Sequence, residues 1–144
     1  MKKGITKQII ITVIAVTIGS IFGNLGVEYF LNQNNSFDKQ MMKAASELNE
    51  SCPIMVDTDT RLDNSIALPD NVFQYNYTLV NYTKEELDIE KLEENISPNI
   101  LNNLKTNPSL KIYRDNKVTM AYSYKDKEGI FLFSLEFKHD DYKE

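Results

Sequence analysis

Residues 71–82 read NVFQYNYTLVNY, and their alternation decides the fold class of the chain. Apolar or aromatic side chains at Phe73, Tyr75, Tyr77 and Leu79 alternate with polar ones, which is the period of two of a strand with one buried face. An amphipathic helix would instead place apolar residues three or four positions apart. We therefore expect a sheet that is covered on one side and solvated on the other.

Three further segments with strand character follow in the C-terminal third, at residues 110–114, 118–124 and 130–137. The two longer segments alternate well, and residues 115–116 and the KDKEG stretch that ends at Gly129 supply the turns. Because these turns are short, consecutive strands are expected to pair with each other. The C-terminal third is therefore predicted to form an antiparallel meander.

Helical periodicity occurs before and after residues 71–82. One amphipathic helix is predicted between Ser36 and Pro53, since apolar residues from Phe37 to Leu48 recur at i, i+4, i+8 and i+11. The capping-box sequence TKEE that starts at Thr83 opens a second helical stretch.

Pro98 restarts or kinks this second stretch, and Asn107-Pro108 ends it. The predicted order is a helix, one or two strands, a helix pair and three strands. This order indicates an α+β fold: a two-layer domain with an antiparallel sheet of four to five strands packed by helices. A curved sheet of the cystatin-like or NTF2-like kind would satisfy the pattern.

An uncharged apolar run, IIITVIAVTIGSIFGNLGV, occupies residues 9–27. As a helix it would cover about 28 Å, close to the ~30 Å hydrocarbon core of a bilayer. Lysines precede the run and Glu28 follows it, so the positive-inside rule keeps the N-terminus in the cytoplasm. The predicted organisation is a cytoplasmic segment, a transmembrane helix, a linker and an extracytoplasmic domain, at residues 1–8, 9–31, 32–36 and 37–144. The chain is thus placed in the cytoplasmic membrane as a single-pass protein.

A cleaved signal peptide is the alternative to this anchor. Cleavage needs small residues at positions −3 and −1, and each small residue near the end of the run has Ile or Asn at −3, which favours the anchor. Gly19 and Gly23 form a G-x-x-x-G motif, which can support a homodimer through the membrane helix. Glycine is also common in membrane helices that do not dimerise.

Three aspartates, Asp57, Asp59 and Asp63 in DTDTRLD, are the nearest approach to a metal site. A calcium loop of the EF-hand kind needs an oxygen ligand at its fifth position and glycine at its sixth, where this chain has Arg61 and Leu62. The segment is therefore interpreted as a neutralised surface turn, and neither a metal nor a cofactor is expected. An envelope enzyme that uses these carboxylates is the alternative.

The single cysteine and the single histidine suggest no site of their own. Cys52 is either a reactive thiol or a small buried hydrophobe at a helix end, and with no second cysteine it forms no intramolecular disulfide. His139 is expected to be solvated in an acidic tail. No G-x-S-x-G or H-E-x-x-H motif occurs.

Five tyrosines in or beside the predicted strands exceed what the core of so small a domain needs, so some of them are expected outside it. Tyrosines on a sheet face or edge are favoured contacts for protein partners, although cross-strand packing is the other interpretation. The five are Tyr75, Tyr77, Tyr82, Tyr122 and Tyr124. The chain has a formal net charge of −5, which argues against nucleic acid as a partner.

Three segments together resemble a known kind of domain: AASELNESCPIMVDTDTRLD at residues 44–63, YNYTLVN at 75–81 and RDNKVTMAYSYKDK at 114–127. They are similar to a small extracytoplasmic domain that recurs in uncharacterised bacterial membrane proteins and lipoproteins. The resemblance implies one membrane-anchored α+β domain and carries no activity. The sequence thus predicts a non-enzymatic domain that binds an envelope protein or peptide. A membrane-tethered immunity or assembly factor is a further alternative.

Overall fold

The computed structural model describes residues 36–143, which form a five-stranded sheet packed by helices. The strands are β1 (Ile54–Met55), β2 (Thr60–Leu68), β3 (Val72–Leu79), β4 (Thr119–Asp126) and β5 (Phe131–Phe137). The helices are α1 (Phe37–Ser51), α2 (Ile89–Thr106), α3 (Lys111–Asp115) and α4 (His139–Tyr142). Short 3-10 turns occupy Lys84–Glu86 and Pro108–Leu110. The predicted α+β class is confirmed.

The sheet is mixed, so the prediction of an antiparallel sheet is wrong in one pairing. The strands lie in the order β1-β2-β3-β4-β5, and β3 pairs with β4 in parallel while the other pairings are antiparallel. A parallel pair needs a crossover that returns the chain to the end where the first strand began. Residues 80–118, which contain α2 and α3, provide it. The alternation of side chains reports the face on which a residue lies and carries no information on strand direction.

The first helix is confirmed close to its predicted position. It begins at Phe37, ends at Ser51 and buries Met41, Ala44, Ala45 and Leu48. This apolar face packs against β2. Because the spacing of these residues already defined one helical face, the local pattern and the tertiary packing agree.

The second helical stretch is one continuous helix through Pro98, and not two. The capping-box sequence shapes the preceding 3-10 turn, where the Thr83 amide donates to Glu86 Oε2 at 2.8 Å. The helix itself begins after Asp88, whose Oδ1 accepts from the Lys91 amide at 3.3 Å.

Residues 110–114, predicted to be a strand, belong to a 3-10 turn and to α3. Leu110 and Tyr113 are buried three residues apart, a spacing that suits a helix. The Arg114 guanidinium donates to the carbonyl oxygens of Leu104 and Asn107 at 2.7 and 2.8 Å, and so satisfies the end of α2. A window of five residues fits a strand or a helix equally well, and this end-capping decides between them.

The core lies between the helices and one face of the sheet, called here the inner face. Its strand residues are largely aromatic: Phe73, Tyr75 and Tyr77 of β3, Tyr122 and Tyr124 of β4, and Phe133 and Phe137 of β5. The buried sides of α1 and α2 complete the same cluster.

Within residues 36–143 no helix combines the length and the apolar character that crossing a membrane requires. The predicted transmembrane segment at residues 9–31, with Gly19 and Gly23, lies outside the described residues, as does most of the predicted linker.

Candidate functional site

The five tyrosines proposed from the sequence as partner contacts are all buried, and none is more than 8% exposed. The expectation that some of them lie outside the core is therefore wrong. The parallel register pairs Tyr75 with Tyr122 and Tyr77 with Tyr124, with ring centroids 5.6 and 5.1 Å apart. Two rows of stacked rings fill the space beneath the helices that smaller side chains would leave empty. As placed, these tyrosines offer no surface to a partner.

Burial also makes the core tyrosines poor acids. Burial is the main reason that the pKa values of Tyr75, Tyr77 and Tyr122 are raised well above the ordinary value, and neighbouring tyrosines raise them further. The hydroxyls of Tyr77 and Tyr124 are buried with no hydrogen-bond partner among the described residues. We therefore assign these rings to packing and not to proton transfer.

The three aspartates of DTDTRLD do not converge. Asp57 Oδ1 accepts from the amides of Asp59 and Thr60 at 2.8 and 2.7 Å, which closes the turn between β1 and β2. Asp59 Oδ1 accepts from the Asn81 side chain at 2.7 Å. Asp63 lies within β2, so the segment is only partly the surface turn that the sequence suggested. In the part of the chain that the structure describes, no group of three His, Cys, Asp or Glu is arranged to hold a metal ion.

Neither Cys52 nor His139 contributes to a cluster of reactive groups. Burial, and secondarily the charge of Asp63, raises the pKa of the half-buried Cys52 thiol, which disfavours the reactive thiolate. His139 is not a solvated tail residue, since it begins α4 and its ring contacts that of Tyr142 edge to face at 5.8 Å.

A groove of about 650 Å³ lies between the start of α1 and the turn from β2 to β3. It is lined by Met41, Met42, Leu68 and Pro69, with Asp38 and Asp70 among its polar groups. This lining contains no nucleophile paired with a base, which nucleophilic catalysis would need.

The second face of the sheet, called here the open face, is polar. The described helices share their core with the inner face and leave this one uncovered. Its formal charges cancel, although the chain as a whole is acidic. Its side chains are Met55 of β1, Arg61, Asp63, Asn64 and Ile66 of β2, Gln74, Asn76 and Thr78 of β3, Ala121, Ser123 and Lys125 of β4, and Phe131, Ser134 and Glu136 of β5.

Asp63 joins three strands on the open face. A register irregularity between Leu62 and Asn64 places it beside Arg61, whose Nε lies 2.6 Å from Asp63 Oδ1. Its other oxygen accepts from Thr78 Oγ1 at 2.5 Å and lies 3.3 Å from Lys125 Nζ. Partial burial acts to raise the pKa of Asp63, but hydrogen bonds from Thr78 and Arg61 and the nearby cations outweigh it, so the pKa is lowered. The carboxylate is therefore ionised and fixed at neutral pH.

A row of amides and hydroxyls crosses the same face beside the Asp63 cluster. Gln74 Nε2 donates to Asn76 Oδ1 at 2.8 Å, and Asn76 Nδ2 donates to Asn64 Oδ1 at 2.7 Å. The register continues this row through Ser123 on β4 and into β5. The open face thus presents ordered donors and acceptors with little net charge, which suits recognition of a polar protein surface.

The sequence contained a signal for this face that the tyrosines obscured. The polar residues that alternate with the tyrosines on β3 and β4 form its centre: Gln74, Asn76 and Ser123. Strand alternation that buries one set of residues must direct the other set outward. These polar residues are candidates for binding because, within residues 36–143, no helix packs over them.

Comparisons with known proteins bear on the domain. A family model described as a domain of unknown function (DUF8479) matches residues 36–133. The fold is similar to a crystal structure from Pseudomonas aeruginosa described as "a putative secreted protein", with a TM-score of 0.59 and 13% identity. That similarity covers 76% of this chain and 99% of the other, and at this identity it shows the fold alone. No curated protein matches the sequence.

Proposed function

The chain belongs to the family of the domain of unknown function DUF8479, and on that premise we propose that it is a membrane-tethered interaction protein. Its domain binds another envelope protein through the open face. One observation carries this proposal: the open face is an ordered polar surface whose charges cancel and that no described helix covers. Its centre, formed by Gln74, Asn76 and Ser123, carries no charged side chain, and the centres of protein interfaces are likewise depleted in charged residues.

The geometry favours binding over catalysis. Each of Asp57, Asp59 and Asp63 is engaged by nearby donors, and the three do not share a cleft. A hydrolytic site would need two carboxylates in separate environments that face one substrate, or a nucleophile with a positioned base. The envelope enzyme and the immunity or assembly factor remain the alternative functions.

Two observations support the extracytoplasmic location. The apolar run at residues 9–27 follows lysines and precedes an acidic domain, as expected for an anchor whose N-terminus stays inside. The similar Pseudomonas structure is described as that of "a putative secreted protein". We propose a single-pass chain with the domain on the outer face of the cytoplasmic membrane.

Cross-linking and pull-down of the full-length protein from membranes tests the binding proposal. Ser123 lies at the centre of the open face, and Ser46 is exposed on α1. We expect wild type and Ser46→Arg to recover the same partner, and Ser123→Arg to lose it because a long cation then stands in the interface. Recovery of no partner above background, or equal recovery by both variants, would refute the role of the open face.

Topology is tested separately by adding protease to intact spheroplasts. We expect the C-terminal domain to be digested and the mature chain to retain residues 9–31. A protected domain, or a mature chain that begins after residue 20, would contradict the tether and leave the open-face test unaffected.

A further inference from the structure

The edge of the sheet at β2 is closed. β1 covers only its first part, where Ile54 pairs with Leu62 and Met55 with Arg61. Farther along β2, the Asn49 side chain of α1 covers the edge. Asn49 Nδ2 donates to Ser65 O at 2.8 Å, and Ser65 N donates to Asn49 Oδ1 at 2.7 Å. The amide thus satisfies both backbone groups of Ser65, as a neighbouring strand would. Such devices keep an edge from pairing with other chains.

The edge at β5 has little of this protection. Neighbouring residues of a strand direct their backbone groups to opposite sides, so about half of those in Phe131–Phe137 point away from β4. Apart from its pairing with β4, the strand receives one hydrogen bond at its backbone within residues 36–143, from Lys84 Nζ to Phe131 O at 3.3 Å. The strand contains no proline, and Glu136 is its only charged residue.

The start of this strand also exposes apolar surface. Ile130 is 50% exposed and Phe131 is 57% exposed, and they are adjacent in the chain. Lys84 lies at the same place and takes part in none of the ion pairs formed by the described residues. Unpaired backbone groups, two apolar side chains and a cation therefore meet at one end of one edge.

We propose that β5 is a strand-addition site for an extended segment of another envelope protein. The segment pairs with the free edge as a sixth strand, because only an extended backbone matches the alternating donors and acceptors of β5. Its chemistry follows from the neighbours: apolar residues at alternate positions, one of them against Phe131, and an acidic residue near Lys84.

A second copy of this chain fits the edge less well. Antiparallel pairing of all of β5 with itself brings the start of one strand beside the end of the other. Lys138, which follows Phe137, would then lie near Lys84 of the first copy, and like charges placed opposite each other repel. A peptide segment with an acidic residue at that place avoids this repulsion.

The first test places a photoreactive benzoylphenylalanine at Phe131 in the full-length protein in cells of the source organism. The replacement is conservative, and the side chain is exposed, so folding is expected to persist and is checked by circular dichroism. Met55, 48% exposed at the other edge, is the matched control. We expect adducts at position 131 to map to one extended segment of a different protein, and none of these at position 55. Adducts with a second copy of this chain, or no adducts, would overturn the proposal.

The second test uses a synthetic peptide of the captured segment with the full-length protein in detergent. We expect the peptide to slow hydrogen exchange of β5 amides by about tenfold or more, and a version with proline at its centre to have no effect. Phe131→Asp should weaken peptide binding by about tenfold or more, and Met55→Asp should leave it unchanged. Protection confined to other strands would overturn the edge proposal. Ser123→Arg should not alter peptide binding, so this site and the open face fail independently.

Discussion

The two faces of the sheet use the same strands for opposite purposes. On β4, Tyr122 and Tyr124 point into the core and stack on tyrosines of β3, whereas Ser123 and Lys125 point to the open face. The inner face gains stability from aromatic area and the open face keeps ordered polar groups available. The comparison shows that residue type alone misleads: the tyrosines resemble a binding surface in the sequence but lie in the core, and the polar residues between them form the face that we propose binds a partner.

Alkaline pH is expected to have the largest effect, because it acts on the whole inner face. Burial raises the folded-state pKa values of its tyrosines above the value of about 10 in the unfolded chain. This stabilisation is complete below about pH 10 and is lost as pH rises towards the folded values, since only the unfolded chain ionises readily. Tyrosinate absorbance should therefore rise together with the loss of the far-ultraviolet circular dichroism signal. Ionisation of all eight tyrosines near their ordinary pKa in a folded protein would break the comparison.

The next largest effect is expected from substitutions of two neighbouring residues of β4, one on each face of the sheet, because they should change the free energy of unfolding by very different amounts. Tyr124→Ala leaves a large cavity in the core and is expected to lower the free energy of unfolding by about 3–5 kcal/mol. Ser123→Ala, one residue away on the open face, should change it by less than about 0.5 kcal/mol. Urea denaturation measures both values. Similar losses for the two variants would show that the face assignment is wrong.

Removing single tyrosine hydroxyls from the core compares a hydroxyl that has a hydrogen-bond partner with one that has none among the described residues. The Tyr142 hydroxyl donates to the carbonyl oxygen of Val118, so Tyr142→Phe leaves a buried acceptor unpaired and should cost about 1–3 kcal/mol. Tyr124→Phe removes a buried hydroxyl that has no partner among the described residues, and should be neutral or stabilise by about 1 kcal/mol. Urea unfolding of the two variants provides the measurement. A loss of stability in Tyr124→Phe equal to that in Tyr142→Phe would contradict the contrast.

Neutralising Asp63 on the open face should have the smallest effect. Its lowered folded-state pKa contributes stability above the unfolded value of about 3.9, which is lost as pH falls through the folded value. Asp63→Asn should therefore be less stable than wild type at neutral pH by at most about 1 kcal/mol, because Arg61 and Lys125 remain well solvated. The difference should shrink as pH falls through the folded-state pKa, as urea midpoints measured at neutral and acidic pH will show. A difference that persists in acid would assign the effect to packing.

Part of the fold could be predicted because its signals are local. The strands near residues 71–82, 118–124 and 130–137 and the helix that starts at Phe37 follow from spacing alone, since apolar side chains must share a face to be buried together. Residues 110–114 could not be assigned in the same way. Five residues carry too little periodicity, and the contact of Arg114 with the end of α2 fixes their conformation.

Most of the candidate site could not be predicted from the sequence. The pattern separated Tyr77 from Asn76, but the number of tyrosines left open whether all of them lie in the core. The contacts of Asp63 depend on Thr78 and Lys125, from two other strands, and on a local irregularity in β2. The closed edge depends on Asn49, sixteen residues from Ser65 in the chain.

By itself, the amino-acid sequence determined which side chains lie on the same face of each strand and helix, because that follows from backbone periodicity within a few residues. Only the tertiary structure decided that β3 and β4 run in parallel, that all of their tyrosines lie in the core, and that residues 36–143 leave one face and most of one edge of the sheet uncovered. Those outcomes depend on contacts between residues far apart in the chain, and such contacts leave no trace in local spacing.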